Sequence, residues 1–251
     1  MIGGLARRAG ALDAYESGGP GDILTLFGAY ELQAPGAKPP GPPSLADALG
    51  RAYSVISPDL MFMSPAEKRW LDFGAEELPE NTAVAGGKPV SKLFDTDGGK
   101  VGVVLFPMLP DHESEPSPEV VRAVAEEARE LRARTKLVIG MSPWGETAEA
   151  RFLYTEGSVF HVLLGSGPGK GHLGRMECEQ KTLWIRAFSR GIVLHVIDVL
   201  EWPENRHDWN WKFAENFSVS IQPLNDNWPL DMDVYRMLGE FPENPESDQS
   251  N

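Results

Sequence analysis

The chain has 251 residues, of which 41% are hydrophobic and 24% are charged, and its formal net charge is −14. This length allows one large domain or two small ones with a substantial core, and the composition is typical of a globular protein. The negative charge argues against nucleic acid or an anionic membrane surface as a partner, because their phosphate groups would be repelled. Cys178 is the single cysteine, so an intramolecular disulfide and a thiolate-rich metal site are excluded.

No segment has the apolar length of a membrane span, which needs about 20 residues. Residues 1–19 carry Arg7 and Arg8 but no long apolar core after them, so they do not form a secretory signal. We therefore predict a cytoplasmic protein without direct membrane insertion, or a periplasmic one if the sequence has been trimmed at its start.

The first part of the chain alternates helices and strands. The residue patterns predict a helix over 5–16, a buried strand over 22–33, a helix over 44–56 capped by Ser44, a strand over 59–63 and a helix over 64–75. Ser64 is the expected N-cap of the last helix, with Pro65 at its first position. Residues 34–44 are rich in proline and glycine, which indicates an extended and exposed loop that is a candidate contact surface.

The second part continues the alternation and then becomes richer in strands. The patterns predict a strand over 98–109, a helix over 117–135 capped by Ser117, a strand over 136–142, a helix over 146–156 and a strand over 159–167. The segments 172–180, 182–190 and 191–202 alternate more and are predicted as antiparallel strands. Together these elements predict a layered α/β fold with a mixed sheet or a second sheet.

The residues after about position 202 differ in composition, being rich in Trp, Asn and Asp. We predict a main domain over 1–202, a Trp-rich extension over 203–240 packed on it, and an acidic disordered tail over 241–251. Trp209 and Trp211 share one face of an extended segment. These two residues and Trp228 either cover the edge of the core or form partner contacts, since Trp is enriched in binding hot spots.

Familiar catalytic motifs do not fit the sequence. The glycine-rich segment 165–172 lacks the spacing of a phosphate-binding loop, because Gly171 stands where a Mg²⁺-binding hydroxyl belongs, and a flexible turn is the better interpretation. The five histidines lack the spacing of a metal cluster, and His161 and His195 lie in strand-like runs typical of core positions. No nucleophile elbow of the form G-x-S-x-G occurs.

Six segments nevertheless occur in an order that is similar to a known family. They are "GGLARRAG" (3–10), "ILTLFGAYELQ" (23–33), "AYSVISPDLMFMSPAEKRWL" (52–71), "GGKVGVVLFPMLP" (98–110), "KLVIGMSPWG" (136–145) and "VFHVLLGSGPG" (159–169). From Gly3 to about Trp202 the chain resembles the calcineurin-like metallophosphoesterases, particularly the 5′-nucleotidase branch. The resemblance implies a sandwich of two mixed β-sheets flanked by helices.

The resemblance also implies where two catalytic metal ions would bind, and this chain departs from the family at those positions. The family's first metal-binding strand would lie before Gly3, outside the sequence. Glu67 matches the acidic residue of the family's "GNHE" motif. The positions that match the family's other ligands carry side chains that cannot coordinate a metal: Ala29, Pro65, Ala66, Pro143, Gly167 and Gly169.

We therefore predict a catalytically inactive protein without metal or other cofactor, which acts as an interaction or structural subunit with a protein partner or as a homo-oligomer. A second hypothesis is a metal-dependent phosphoesterase with a relocated site that uses Glu31, Glu67, Asp111 and His112. A third hypothesis is a metal-free nucleotide or anion sensor, in which backbone N–H groups of residues 165–171 bind the anion.

Overall fold

The computed structural model describes residues 4–18, 21–76, 78–110, 115–188, 191–203, 206 and 208–239. The helices are α1 (Leu5–Gly18), α2 (Pro43–Ile56), α3 (Pro65–Leu71), α4 (Pro118–Arg132), α5 (Glu146–Glu156) and α6 (Met232–Leu238). The strands are β1 (Leu26–Phe27), β2 (Leu60–Met63), β3 (Thr82–Val84), β4 (Val90–Thr96), β5 (Gly99–Leu105), β6 (Leu137–Ser142), β7 (Val162–Gly165), β8 (His172–Glu177), β9 (Thr182–Arg186), β10 (Val193–Val199) and β11 (Phe217–Pro223). None of these helices combines the length and the apolar character that crossing a lipid bilayer requires.

The strands form a small sheet, a large sheet and a two-stranded ladder. β1, β2 and β3 make the small sheet, and all three run parallel. The large sheet has the order β4-β5-β6-β7-β9-β8, with four parallel central strands and an antiparallel strand at each edge. β10 and β11 pair antiparallel. Because parallel strands direct their carboxyl ends to one edge, the loops after β1 and β2 leave the same edge of the small sheet, as do those after β6 and β7 in the large sheet.

The main core lies between the small and the large sheet. Phe62 of β2 shares one buried cluster with Val103 of β5 and Ile139 of β6. The neighbouring residues Val104 and Val138 point to the opposite face, into a second cluster with α4 and α5. β5 and β6 therefore bury both of their faces, which explains why their sequences read as continuous apolar runs.

Helices cover the outer faces of both sheets. Met61 of β2 packs with Trp70 of α3 on the side of the small sheet that faces away from the large one. α6 returns to the beginning of the chain, where Val234 shares a cluster with Ala9 of α1. The predicted α/β class with sheets between helical layers is thus confirmed, although the small sheet is wholly parallel rather than mixed.

Several element boundaries differ from the sequence prediction. β1 occupies only Leu26–Phe27 of the strand predicted over 22–33, because the chain turns at Tyr30, whose φ is +66°. α2 begins at Pro43 with Pro42 as N-cap, so Ser44 lies inside the helix and does not cap it. β9 runs parallel to β7 and antiparallel only to β8. The sequence patterns did not predict β3, β4, β11 or α6. β3 has only three residues, and no residue of β4 is buried.

The ladder of β10 and β11 joins the two sides of the predicted boundary at position 202. Phe217 of β11 belongs to the same core cluster as Phe62 of the small sheet. The division into a main domain and a packed extension stays a prediction, and the predicted tail over 241–251 lies outside the described residues.

Candidate functional site

The loops that follow β1, β6 and β7 meet at one place. A β-carbon at Gly28, after β1, would lie 3.9 Å from the β-carbon of Ser166, after β7. A β-carbon at Gly167 would lie 2.6 Å from the carbonyl oxygen of Pro143, after β6, and 3.2 Å from the ring of Tyr30. The fold therefore brings together the strand ends at which the family resemblance places metal ligands.

The corner between β2 and α3 is built by local capping. The hydroxyl of Ser64 accepts a hydrogen bond from the backbone N–H of Glu67, and the carboxylate of Glu67 accepts one from the N–H of Ser64. Pro65 stands at the first helical position, where its missing N–H costs nothing, as predicted. Pro65 is half-buried and Ala66 is exposed. This reciprocal arrangement is a capping box, and it fixes the direction in which α3 leaves the sheet.

Glu67 is fully buried, and three backbone N–H groups bind its carboxylate. One oxygen accepts from Tyr30 at 3.0 Å and from Ser64 at 2.8 Å, and the other accepts from Leu32 at 2.8 Å. These hydrogen bonds fix the turn after β1, including the left-handed conformation of Tyr30. Glu67 thus joins the loop after β1 to the corner after β2.

Glu31 is also held in an internal network. Its carboxylate pairs with the guanidinium of Arg8 on α1 and accepts a hydrogen bond from the hydroxyl of Tyr53 on α2 at 3.1 Å. Burial, reinforced by the charge of Glu31, raises the pKa of Tyr53 well above its usual value, so the hydroxyl stays protonated and donates. Of the four residues in the relocated-site hypothesis, Asp111 and His112 lie outside the described residues.

The loop after β7 is closely packed and depends on glycine. Gly167 and Gly169 have φ values of +76° and +120°, which side-chain-bearing residues rarely adopt. A β-carbon at Gly169 would lie 2.5 Å from the β-carbon of Glu146 on α5. Any larger residue at either glycine would require the surrounding loop to move.

A buried ion pair lies beneath this loop. The guanidinium of Arg186, the last residue of β9, contacts the carboxylate of Glu149 on α5, and the same carboxylate oxygen accepts from the indole N–H of Trp184 at 3.0 Å. Burial raises the pKa of Glu149, and the pair with Arg186 offsets part of this shift. The sequence analysis did not single out this pair. Its signal was an arginine that ends a strand whose other residues are all buried.

The side chains at this site do not fit a pair of metal ions. Ala29, Pro143, Gly167 and Gly169 offer no donor atom, and neither do Pro65 and Ala66 at the corner after β2. The remaining carboxylate, that of Glu67, is fully buried and already accepts hydrogen bonds from three backbone N–H groups. Among the described residues, no three His, Cys, Asp or Glu side chains are grouped in a way that could hold a metal.

Two of the three tryptophans predicted as partner contacts belong to the core. Trp209 and Trp211 are almost wholly buried, and the indole N–H of Trp211 donates to the carbonyl of His161 at 2.8 Å. These buried side chains have almost no surface to present to a partner, so their assignment as partner contacts is wrong. Trp228 is half-buried and stacks on Tyr15 with 5.6 Å between ring centroids, and its role as a partner contact stays a prediction.

His161 is a core histidine, as its place in a strand-like run predicted. Its Nδ1 accepts a hydrogen bond from the backbone N–H of Val138 at 2.9 Å. Burial, with a smaller contribution from the charge of Arg132, lowers the pKa of His161 from 6.5 to about 3. His195 is only half-buried and stacks on Phe188 at 5.4 Å.

The two stacked sheets and the helices on their outer faces define the chain as an α/β sandwich. Three solved structures share this fold. The NAD nucleotidase NadN of Haemophilus influenzae has a TM-score of 0.60 and 11% identity, and the match covers 96% of this chain and 57% of that chain. The 5′-nucleotidase of Candida albicans SC5314 has a TM-score of 0.57 and 12% identity, with 94% of this chain and 52% of that chain covered. The calcineurin-like phosphoesterase YfkN of Bacillus subtilis has a TM-score of 0.54 and 16% identity, with 95% of this chain and 88% of that chain covered.

The chain spans little more than half the length of the NAD nucleotidase and of the Candida nucleotidase. No protein-family model matches the sequence, and no curated protein matches it. At 11% to 16% identity, the three structures establish the common fold.

Proposed function

We propose that this chain is a catalytically inactive protein of the metallophosphoesterase fold, which serves as an interaction or structural subunit of a larger assembly. One observation carries the proposal. The carboxylate of Glu67, the acidic group that the resemblance leaves at the corner after β2, is buried and accepts hydrogen bonds from three backbone N–H groups. The strand ends around it present alanine, proline and glycine.

The chemistry of phosphoester cleavage supports the inactive assignment. In this class of reaction, metal ions generate the attacking hydroxide and neutralise the phosphoryl oxygens. Alanine, proline and glycine supply neither metal ligands nor a general acid or base. The net charge of −14 would also repel a phosphorylated substrate that no cation screens.

The proposed interaction role rests on the partly exposed surface around Trp228. Trp228 is half-buried and stacks on Tyr15 near the C-terminal part of the chain. Amphipathic aromatic side chains in this position contribute strongly to protein interfaces, because they bury a large area at a small cost in conformational entropy. The proposed partner is a protein or a second copy of this chain.

Metal content and hydrolysis test the inactive assignment. The protein is produced with added manganese, iron and zinc, analysed for bound metal, and assayed with bis-p-nitrophenyl phosphate and 5′-AMP. We expect far less than one metal ion per chain and no turnover above buffer. About one to two ions per chain together with turnover, as a metallophosphoesterase requires, would overturn the proposal.

Light scattering and affinity capture from the native cell test the interaction role. Trp228→Ala is compared with Tyr235→Ala, which removes a half-exposed aromatic ring from α6. We expect an oligomer or a stoichiometric partner that the tryptophan variant loses and the tyrosine variant keeps. A strictly monomeric protein that captures nothing counts against this part of the proposal.

A further inference from the structure

The loop after β7 surrounds a buried positive charge. The side chain of Arg186 is 2% exposed, and its Nη2 donates to the carbonyl oxygens of Ser166 at 3.1 Å, Gly167 at 3.0 Å and Pro168 at 3.0 Å. Its Nε donates to the carbonyl of Lys170 at 3.3 Å. Four carbonyl groups of one five-residue loop, 166–170, therefore converge on a single guanidinium.

We propose that the Arg186 guanidinium is a built-in cation that organises this loop, and that the loop after β7 consequently keeps its shape without a divalent metal ion. This inference deepens the proposed function. It rests on that function because the comparison of Arg186 with a metal ion assumes that the chain binds no metal. Arg186 is a positioning residue, since it is buried beneath the loop and touches no open surface.

The charge arrangement supports this assignment. Carbonyl oxygens carry partial negative charge, and a cluster of them is stable in a buried place only beside a cation or hydrogen-bond donors. Arginine suits this role because its rigid, planar fork presents five N–H donors and stays charged at every accessible pH. Glu149 balances the charge, because its carboxylate contacts Nη1 of the same side chain and is itself 0% exposed.

The loop is also hydrogen-bonded to the N-terminus of α5. The carbonyl of Ser166 accepts from the N–H of Gly145 at 3.1 Å, and the carbonyl of Pro168 accepts from the N–H of Glu146 at 2.8 Å. These N–H groups belong to the N-cap residue and the first residue of α5, where N–H groups have no acceptor within the helix. The loop carbonyls thus connect the helix terminus to Arg186, which explains how one buried side chain can fix both segments.

The test compares Arg186→Gln with a matched control, Arg175→Gln. Arg175 lies on the adjacent strand β8, is half-exposed, and pairs with Glu146 at 3.6 Å. Hydrogen–deuterium exchange of residues 165–171 and thermal unfolding are measured for the full chain, with and without EDTA, and with added Mn²⁺ or Zn²⁺.

For the unmodified chain, we expect the same Tm and the same loop exchange under all four conditions. In Arg186→Gln, loop exchange should rise at least tenfold and Tm should fall by about 10 °C, because one partner of a buried pair is lost. The control should lower Tm by less than about 2 °C, since an exposed pair contributes little.

A second variant keeps the inference testable if Arg186→Gln does not fold. Arg186→Lys retains the charge but cannot reach all four carbonyls, so exchange should rise in residues 165–171 and stay unchanged in β5 and β6. Loop exchange that is indifferent to both variants would overturn the inference, as would a loop that loses protection in EDTA. Metal-dependent turnover would instead overturn the proposed inactivity, whatever the loop exchange shows.

Discussion

The two corners of the site solve the same structural problem with opposite charges. After β1 and β2, the loop directs backbone N–H groups at a buried carboxylate, that of Glu67. After β7, the loop directs carbonyl groups at a buried guanidinium, that of Arg186. In both places a charged side chain satisfies backbone groups of an irregular segment that would otherwise be buried without partners.

The difference between the corners is in how the charge is compensated. Glu67 is compensated by N–H dipoles and pairs with no cationic side chain in the described part of the chain, whereas Arg186 combines carbonyl dipoles with a full negative charge on Glu149. The first corner is therefore a capping motif extended to a neighbouring loop. The second is an ion pair around which a loop folds. Three experiments test how the two corners contribute to stability, in order of decreasing expected effect.

Removing the carboxylate should dismantle the first corner. In Glu67→Ala, three buried N–H groups lose their acceptor, and each unsatisfied group costs about 1–3 kcal/mol. We expect the free energy of unfolding to fall by about 3–6 kcal/mol, measured by urea denaturation. The control is Glu76→Ala, an exposed acid, which should change it by less than about 0.5 kcal/mol. A loss below about 1 kcal/mol for Glu67→Ala would show that the turn at Tyr30 holds without this carboxylate.

Adding one methyl group should disturb the second corner through sterics alone. Gly167→Ala places a β-carbon 2.6 Å from the carbonyl oxygen of Pro143 at a φ of +76°. Gly36→Ala is the matched control, because its φ is +70° but no atom lies within 4 Å of the new carbon. We expect losses of about 3 kcal/mol and about 1 kcal/mol, since only the first adds overpacking to the left-handed backbone. Equal losses in thermal or urea unfolding would contradict the packing described for this loop.

Acid should lower the stability of the chain by protonating His161, which directly precedes β7. Its pKa is about 3 in the folded chain and near 6.5 when unfolded, so between these values the unfolded chain binds the extra proton. Stability from this residue is complete above pH 6.5 and falls as the pH drops toward 3, by about 2 kcal/mol at pH 5.

His161→Gln removes this titration and should flatten the stability profile between pH 6.5 and pH 5. Urea unfolding at several pH values gives the comparison. The same slope in both proteins would mean that another group titrates in this range.

The sequence was informative wherever the decisive contacts are local. Ser64 was predicted as the N-cap of α3 and Pro65 as its first residue, and the structure confirms both. The continuous apolar run over 98–109 likewise indicated a buried strand, which is β5. The order of such segments was sufficient to predict the layered α/β class, because the period and length of each segment depend on its own residues.

The sequence was uninformative where contacts join distant positions. The pattern of 22–33 predicted a long strand, but the carboxylate of Glu67 captures the N–H groups of Tyr30 and Leu32 and ends β1 early. The sequence left it open whether Trp209 and Trp211 cover the edge of the core or contact a partner. Only the packing of the C-terminal segment against β7 and β9 decides that they are buried.

Residue types and their short-range spacing were sufficient to predict the class of fold and the caps of α3 and α4, and they place alanine, proline and glycine at positions 29, 143 and 167. These properties depend on residue type and on spacing over a few positions. The tertiary structure alone decided that Glu67 is occupied by a neighbouring loop and that Arg186 lies beneath another. Both outcomes depend on long-range closure, since a buried charge finds its partners only after the sheets have stacked and excluded water.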